Sequence, residues 1–208
     1  MGMKFLEVTI EGDTPIMMDR MTEEDAEGIK NSTSSGAKKG DEKKKEDRAK
    51  EHAYLMKFEG EDDVFFAPHQ WLLGTIQGGM KFCKIGRKSA SNFTGAIHVP
   101  HEQYPIMRGS KPLTWEDARV HWEHHNAHSG PQTYKRFKAR AVIPTPWVLT
   151  FKVGYHDKYL KESNVKEFIE DAGVLSGIGT FAPRHKGSYG KFRMVSCKVV
   201  QKCDSIAS

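Results

Sequence analysis

The residues best suited to chemistry lie in Gly173-Val-Leu-Ser-Gly-Ile-Gly-Thr-Phe-Ala-Pro-Arg-His-Lys-Gly-Ser-Tyr-Gly190, where five glycines surround Arg184, His185 and Lys186. Glycine lets backbone approach a ligand closely and adopt positive φ. Exposed N–H groups in such a loop form an anion-binding nest. Gly177, Gly179, Gly187 and Gly190 would admit phosphates, and Arg184 and Lys186 would neutralise them. The segment is not a P-loop, because no Gly-Lys-Ser/Thr closes it before a helix. It is not a dinucleotide fingerprint either, because a helix precedes it and a strand follows. The plain alternative is a long glycine-rich connection.

Further cation clusters point the same way. From Thr133 to Ile143 the sequence alternates, with Phe137, Ala139, Ala141 and Ile143 on one side and Tyr134, Arg136, Lys138 and Arg140 on the other. The cations would neutralise phosphates and Tyr134 could stack a base; the alternative is an ordinary solvated face. Lys84, Arg87 and Lys88 form a third group, in a loop. His121, His124, His125 and His128 recur at spacings of three and four, which on a helix makes them neighbours. Two histidines one turn apart can bind zinc or another transition metal. Glu123 is not placed as in HExxH, and a polar helix face explains the same pattern. No cofactor is expected apart from a divalent metal at that helix. No GxSxG occurs, and Asp19, Asp62, Asp63 and Asp157 show no spacing that pairs them around a metal. The chain therefore reads as a binding module rather than an enzyme.

These residues need elements to position them. Met3 to Glu11 alternates as a half-buried strand. Tyr54–Phe58 and Val64–Phe66, separated by an acidic stretch, read as a hairpin. Pro68 opens a helix carrying Trp71, Leu72, Thr75 and Ile76, whose end Gly78-Gly79 weakens. Ala96 to Val99 is a short strand. Thr114-x-x-Asp117 resembles a capping box and starts a helix running to about His128. The strand ending at Ile143 turns at Pro144-Thr-Pro146 into a partner strand carrying Trp147, Leu149, Phe151 and Val153. A helix at about 164–172, capped by Ser163 and stopped by Gly173, precedes a last strand at about 191–200.

Stripped of insertions, the order is strand, helix, strand pair, helix, strand. That is an α+β, ferredoxin-like (RRM-like) split βαβ core in a single domain spanning 1–208. Two insertions interrupt it. Residues 20–50 are charged, low in complexity and too poor in apolar residues to order themselves. Residues 100–131 carry the histidine-bearing helix. A flat sheet of this kind is one platform for single-stranded nucleic acid.

Charge is divided unevenly. Residues 1–80 carry 11 Lys+Arg and 17 Asp+Glu, a net of −6, whereas residues 81–208 carry 21 and 10, a net of +11. Such asymmetry points to a polyanionic partner. Cys83, Cys197 and Cys203 include no CxxC pair, which speaks against a disulfide framework or a cysteine zinc site. No signal peptide or transmembrane stretch is evident. The expected setting is the cytoplasm of a prokaryotic or virus-infected prokaryotic cell, with no membrane partner.

Three segments together resemble the RAMP superfamily (repeat-associated mysterious proteins), which includes backbone subunits of CRISPR effector complexes. They are the first strand with Thr14-Pro15-Ile16-Met17-Met18, then Phe65-Phe66-Ala67-Pro68-His69-Gln70-Trp71-Leu72-Leu73-Gly74-Thr75-Ile76, and lastly Gly177-Ile178-Gly179 with Gly187-Ser188-Tyr189-Gly190-Lys191-Phe192. The last is similar to the family's C-terminal glycine-rich loop, which contacts RNA. The sequence departs from the pattern where Trp71-Leu72-Leu73 replaces the usual serine-lysine step, and where Pro183-Arg184-His185-Lys186 extends the loop. Asp19 lies near the position of catalytic aspartates in some backbone subunits, but no role is carried over to it. The resemblance implies single-stranded nucleic-acid binding, RNA before DNA, with self-association along the strand or other subunits as partners. The origin could equally be a virus or mobile element. Two other functions stay open: a metal-dependent nuclease of similar fold, and a viral factor engaging a host nucleoprotein complex.

Overall fold

The computed structural model describes residues 2–21, 45–129 and 132–200, and the side chains of all these except 124–137. Most of the charged insertion therefore lies outside the described residues. Its last part does not: Lys45–Glu51 forms helix α1, with Ala49 fully buried and the helix lying against a long β-hairpin.

The architecture is α+β, built on an antiparallel sheet. Strand β1 (Met3–Gly12) lies one strand in from an edge, with Leu6, Val8 and Ile10 buried on alternate positions. Strand β2 is short (Ile16–Met17). The next strands are β3 (Leu55–Phe58) and β4 (Glu61–Pro68). Pro68 ends β4 and caps helix α2 (His69–Met80), as its fixed φ allows. Two small hairpin strands follow, β5 (Lys84–Ile85) and β6 (Lys88–Ser89), then β7 (Ile97–His98), β8 (Gln103–Arg108) and β9 (Lys111–Pro112). Strands β10 (Arg119–Ser129) and β11 (Gln132–Ile143) make the long hairpin. Strand β12 (Val148–His156), helix α3 (Glu162–Asp171) and strand β13 (Phe192–Val200) complete the chain. The sheet order is β13-β1-β12-β8-β4-β3, with β7 added to β12 and β9 to β8.

Helices α2 and α3 pack on one another. Leu72, Ile76 and Met80 of α2 and Val165, Phe168 and Ile169 of α3 join the β1 and β12 residues in one core. A Cβ at position 79 would overlap the Phe168 carbonyl oxygen. Gly79 therefore brings the two helices together, rather than merely weakening a helix end.

Two sequence expectations fail here. The segment read as a helix to His128 forms only a turn at Trp115–Asp117 and then strand β10. Trp115, Ala118 and Trp122 fit a helical period, but Arg119 onward also suits a strand, and tertiary pairing decides. Backbone pairing runs unbroken from Arg119↔Val142 to Ser129↔Gln132 and engages the groups of the strand that face β11. Asp117 accepts from the Thr114 N–H at 3.0 Å as a capping box predicts, yet it is also bound by Arg108 at 2.8 Å. The helical insertion at 100–131 is therefore β-structure, from β8 through β10. The second failure is the partner of β11, which is not β12. Strand β11 pairs with β10 and β2, whereas β12 pairs with β1, β8 and β7.

Gly190 has φ +67°, and a Cβ there would overlap the Ile178 carbonyl oxygen. Gly190→Ala should therefore lower stability by roughly 2–4 kcal/mol, combining backbone strain with overlap. Gly86→Ala, at φ +60° in open space, should cost only about 1 kcal/mol. Urea unfolding of the two variants separates these contributions; equal losses would show that the close approach at 190 contributes nothing.

Candidate nucleic-acid interface

Helix α3 continues into a π turn, Ala172–Ser176, before the glycine-rich loop begins. The loop is folded against its own chain. Ile178 N–H donates to Gly190 O at 2.9 Å, and Gly190 N–H to Pro15 O at 2.7 Å. Thr180 N–H reaches Met17 O at 2.9 Å, fastening the loop to β2. Gly177 N–H donates to Ala172 O, and Gly187 N–H to Ala182 O. The space a side chain would occupy at Gly187 is filled by the Phe181 carbonyl. The N–H groups of Gly177, Gly187 and Gly190 are thus taken by the protein, so the expected nest of free backbone donors does not form there. The cationic side chains remain.

Two arginines touch or belong to the loop and differ in what neutralises them. Arg140, on β11, is only 2% exposed. Its Nε donates to Asp19 Oδ2 at 2.8 Å, and its Nη1 pairs with Glu123 Oε1. Its guanidinium also stands 4.9 Å from the Phe181 ring centroid. Lys138 shares Asp19 at 3.0 Å. Arg140 is therefore a buried structural cation, and the expectation that it meets a phosphate is corrected: burial and two carboxylates leave no room for one. Lys138 stays exposed but partly neutralised.

Arg184 is half-buried and has no carboxylate partner among the described residues. Its Nη1 donates to Thr75 Oγ1 at 2.8 Å and to Gly177 O at 3.3 Å, and its Nε to His185 Nε2 at 3.1 Å. No described hydrogen bond takes Nη2. Burial lowers its pKa from the usual arginine value, although a guanidinium remains charged near neutrality. Beside it, His185 and Lys186 are exposed, and Lys186 is held at φ +63°.

The structure brings the loop and the basic strand together. Met17 pairs with Val142 of β11 and bridges Thr180 of the loop. Thr180 and Phe181 of the loop and the base of β11 thus share one junction, and Arg184 lies a few residues further along the same loop, on Thr75 and Gly177. Tyr134 and Arg136 lie on β11, but their side chains fall outside the described residues. Lys84, Arg87 and Lys88 are exposed on the separate β5–β6 hairpin.

The histidine segment loses its helical geometry. On strand β10, residues 121 and 125 are spaced by about 13 Å, and alternation separates 121 from 124 and 128. The one-turn contact that suggested a metal site is gone. His121 lies 3.6 Å from Glu123, and the side chains of His124, His125 and His128 are outside the described residues. Among the described residues no group of three His, Cys, Asp or Glu could hold a metal ion. The four aspartates are each engaged: Asp63 by Lys50, Asp62 by Lys57, Asp157 by the Gly2 N–H and Asp19 as above.

Sequence reasoning missed two groupings. His69 and His101 have ring centroids 4.0 Å apart, with His98 6.4 Å from His101. Desolvation and the two neighbouring imidazoles push the His69 pKa below its usual value. His69 is about thirty residues from the other two in sequence, and no periodic signal links it to them. The second grouping is Tyr54 with Trp71, at 4.9 Å.

Burial would raise the Asp19 pKa, but hydrogen bonds and charge from Arg140 and Lys138 outweigh it and hold the carboxyl below 3.8. Its stabilisation is therefore complete above the unfolded value and is lost as pH falls through the folded one. Asp19→Asn should lose about 2–3 kcal/mol at pH 7. Its unfolding curve should begin to converge with wild type only below about pH 4, and should meet it once the pH is below the folded carboxyl's own, lower value. Parallel curves down to acid pH would remove Asp19 from the network.

No family model matches the chain, and no curated protein does. Solved structures do match. A chain in the cryo-EM structure of the Type III-B Cmr-beta bound to cognate target RNA aligns over 96% of this chain and 61% of its own length, with TM-score 0.57 and 11% identity. This chain thus spans about three fifths of the length of that one. The crystal structure of Cmr6 from Pyrococcus furiosus aligns over 93% of this chain and 99% of its own, with TM-score 0.43 and 8% identity. The loop packed on β2 and the sheet behind it therefore belong to a fold similar to that of a chain in the Cmr-beta structure.

Proposed function

We propose that this chain grips the backbone of single-stranded nucleic acid, RNA in preference to DNA, as a subunit of a CRISPR-like ribonucleoprotein. The observation that carries the reading is Arg184. A half-buried guanidinium that meets no carboxylate among the described residues has lost hydration and gained no counter-ion from them. A phosphate oxygen at Nη2 would supply one, as a charge-assisted hydrogen bond. Exposed Lys186 and His185 flank the position, and Lys138 lies across the junction. The net +11 of residues 81–208 supports a polyanion, and likeness to a structure solved with target RNA supports RNA.

On this reading β1, α2, β8, β12, α3 and β13 are the ferredoxin-like core, and the β10–β11 hairpin is an arm added to it. The strand lies along the junction of loop and arm. Gly177, Gly179, Gly187 and Gly190 shape the shelf that presents the cations. Further copies or other subunits continue the track, and Arg136, Lys84, Arg87 and Lys88 extend its charge.

The test is a salt titration of single-stranded oligonucleotide binding. The logarithm of the binding constant should fall linearly with that of salt concentration, by roughly 0.7 per phosphate contact. The Arg184→Ala, Lys186→Ala double variant should bind every sequence more weakly and show a slope shallower by roughly 1–1.5. An unchanged titration removes the loop from the interface, and salt-independent binding ends the reading. Chelator-sensitive cleavage of the strand would favour a metal-dependent nuclease instead.

A further inference from the structure

We infer that Trp71 is a nucleobase-stacking residue, so that the interface holds one base as well as the backbone; this rests on the reading of the loop as a phosphate site. Trp71 and Thr75 are four residues apart on α2 and share a face, one turn or about 5.4 Å along the axis. Thr75 holds Arg184 at 2.8 Å. On its other flank Trp71 borders the loop, where a Cβ at Gly179 would stand 3.6 Å from Trp71 Cζ3. The indole therefore lies along the loop, one helical turn from the guanidinium assigned to phosphate. A single nucleotide spans that separation.

The ring is both held and accessible. It meets Tyr54 edge-on at 4.9 Å and 72°, and Tyr54 meets Phe66 at 5.6 Å and 81°. Yet Trp71 is only half-buried. An aromatic ring already fixed in place loses little freedom when it binds. Exposed Arg20 carries positive charge toward the same aromatic pair. Trp147 has the opposite character: it is fully buried, and its Nε1–H donates to Thr14 O at 2.8 Å. Trp115 packs on Phe65 at a centroid distance of 6.1 Å. A base stacked on Trp71 adds affinity with little sequence preference, since every base has a π-face.

The experiment compares a single-stranded oligoribonucleotide with an abasic strand of equal length, by fluorescence anisotropy at fixed salt. Wild type should bind the base-bearing strand about tenfold more tightly. In Trp71→Leu, which fills the space without a π-face, that ratio should fall to about one; in Trp71→Phe most of it should remain. Thermal melting of each variant confirms folding. Should Trp71→Leu fail to fold, quenching of the indole fluorescence in Trp147-, Trp115- and Trp122-to-Phe protein provides the readout: quenching by the base-bearing strand alone supports stacking, and equal or absent quenching overturns it. A wild-type ratio near one, or a ratio unmoved by Trp71→Leu, likewise overturns it while leaving backbone binding intact. Failure of wild type to bind either strand overturns the phosphate reading and this inference with it.

Discussion

A buried guanidinium holds three separate parts of the chain in one place. Arg140 comes from β11, Glu123 from β10, and Asp19 from the segment just after β2. At 2% exposure the cation has almost no water, so it needs both carboxylates; removing a partner would leave an uncompensated charge in a low-dielectric site. The same guanidinium faces Phe181, which belongs to the glycine-rich loop. The base of the β10–β11 arm, strand β2 and the loop are thereby registered against each other. Without that registration, neither the cations of the loop nor those of the arm would have a fixed relation.

The junction shows why counting positive side chains is a poor guide to function. Arg140 and Arg184 are both partly or wholly removed from water and both lie beside the loop. One is neutralised by the protein's own carboxylates. The other is held by a hydroxyl, a carbonyl and an imidazole, none of them an anion, which orient a guanidinium without cancelling its charge. Only the second retains a reason to attract an anion. A ligand-facing charge is distinguished by its counter-ions, and counter-ions are a tertiary property.

This also sets how much was legible in the sequence. Strand β1, helices α2 and α3, and strand β11 follow from apolar period, because each has one face toward a common core. The histidine segment was misread because Trp115, Ala118 and Trp122 satisfy a helical period while Arg119 to Ser129 equally suits a strand; only pairing with β11 decides, and pairing is not written locally. The partner of β11 was misassigned for a related reason. A short connection at Pro144-Thr-Pro146 suggests a hairpin, but Trp147 is drawn into the main sheet's core and β12 goes with it. The alternation of β11 correctly placed Arg140 opposite Ala139 and Ala141. It could not reveal that Arg140 is buried too, since both sides of that strand are covered at its base. Glycine density in residues 173–190 was equally plain, and its purpose was not. The same need for space and positive φ arises whether the close neighbour is a phosphate or the chain's own carbonyl, and at Gly187 and Gly190 it is the latter.

That last distinction bears on the kind of recognition this surface can perform. A nest of backbone N–H groups fixes one anion in one geometry, as nucleotide-binding loops do. Here the N–H groups of Gly177, Gly187 and Gly190 stabilise the loop itself, and the loop becomes a rigid shelf from which side chains project. Point charges on such a shelf tolerate variation in phosphate position, and a polymer needs this when the same surface must accept any sequence. On the stacking proposed for Trp71, an aromatic ring beside the shelf would add a contact with the base without demanding its identity. The chemistry available at the junction therefore suits tracking along a strand better than capture of a small phosphorylated molecule. The loop's internal hydrogen bonds, which deprive it of a nest, are what make that possible.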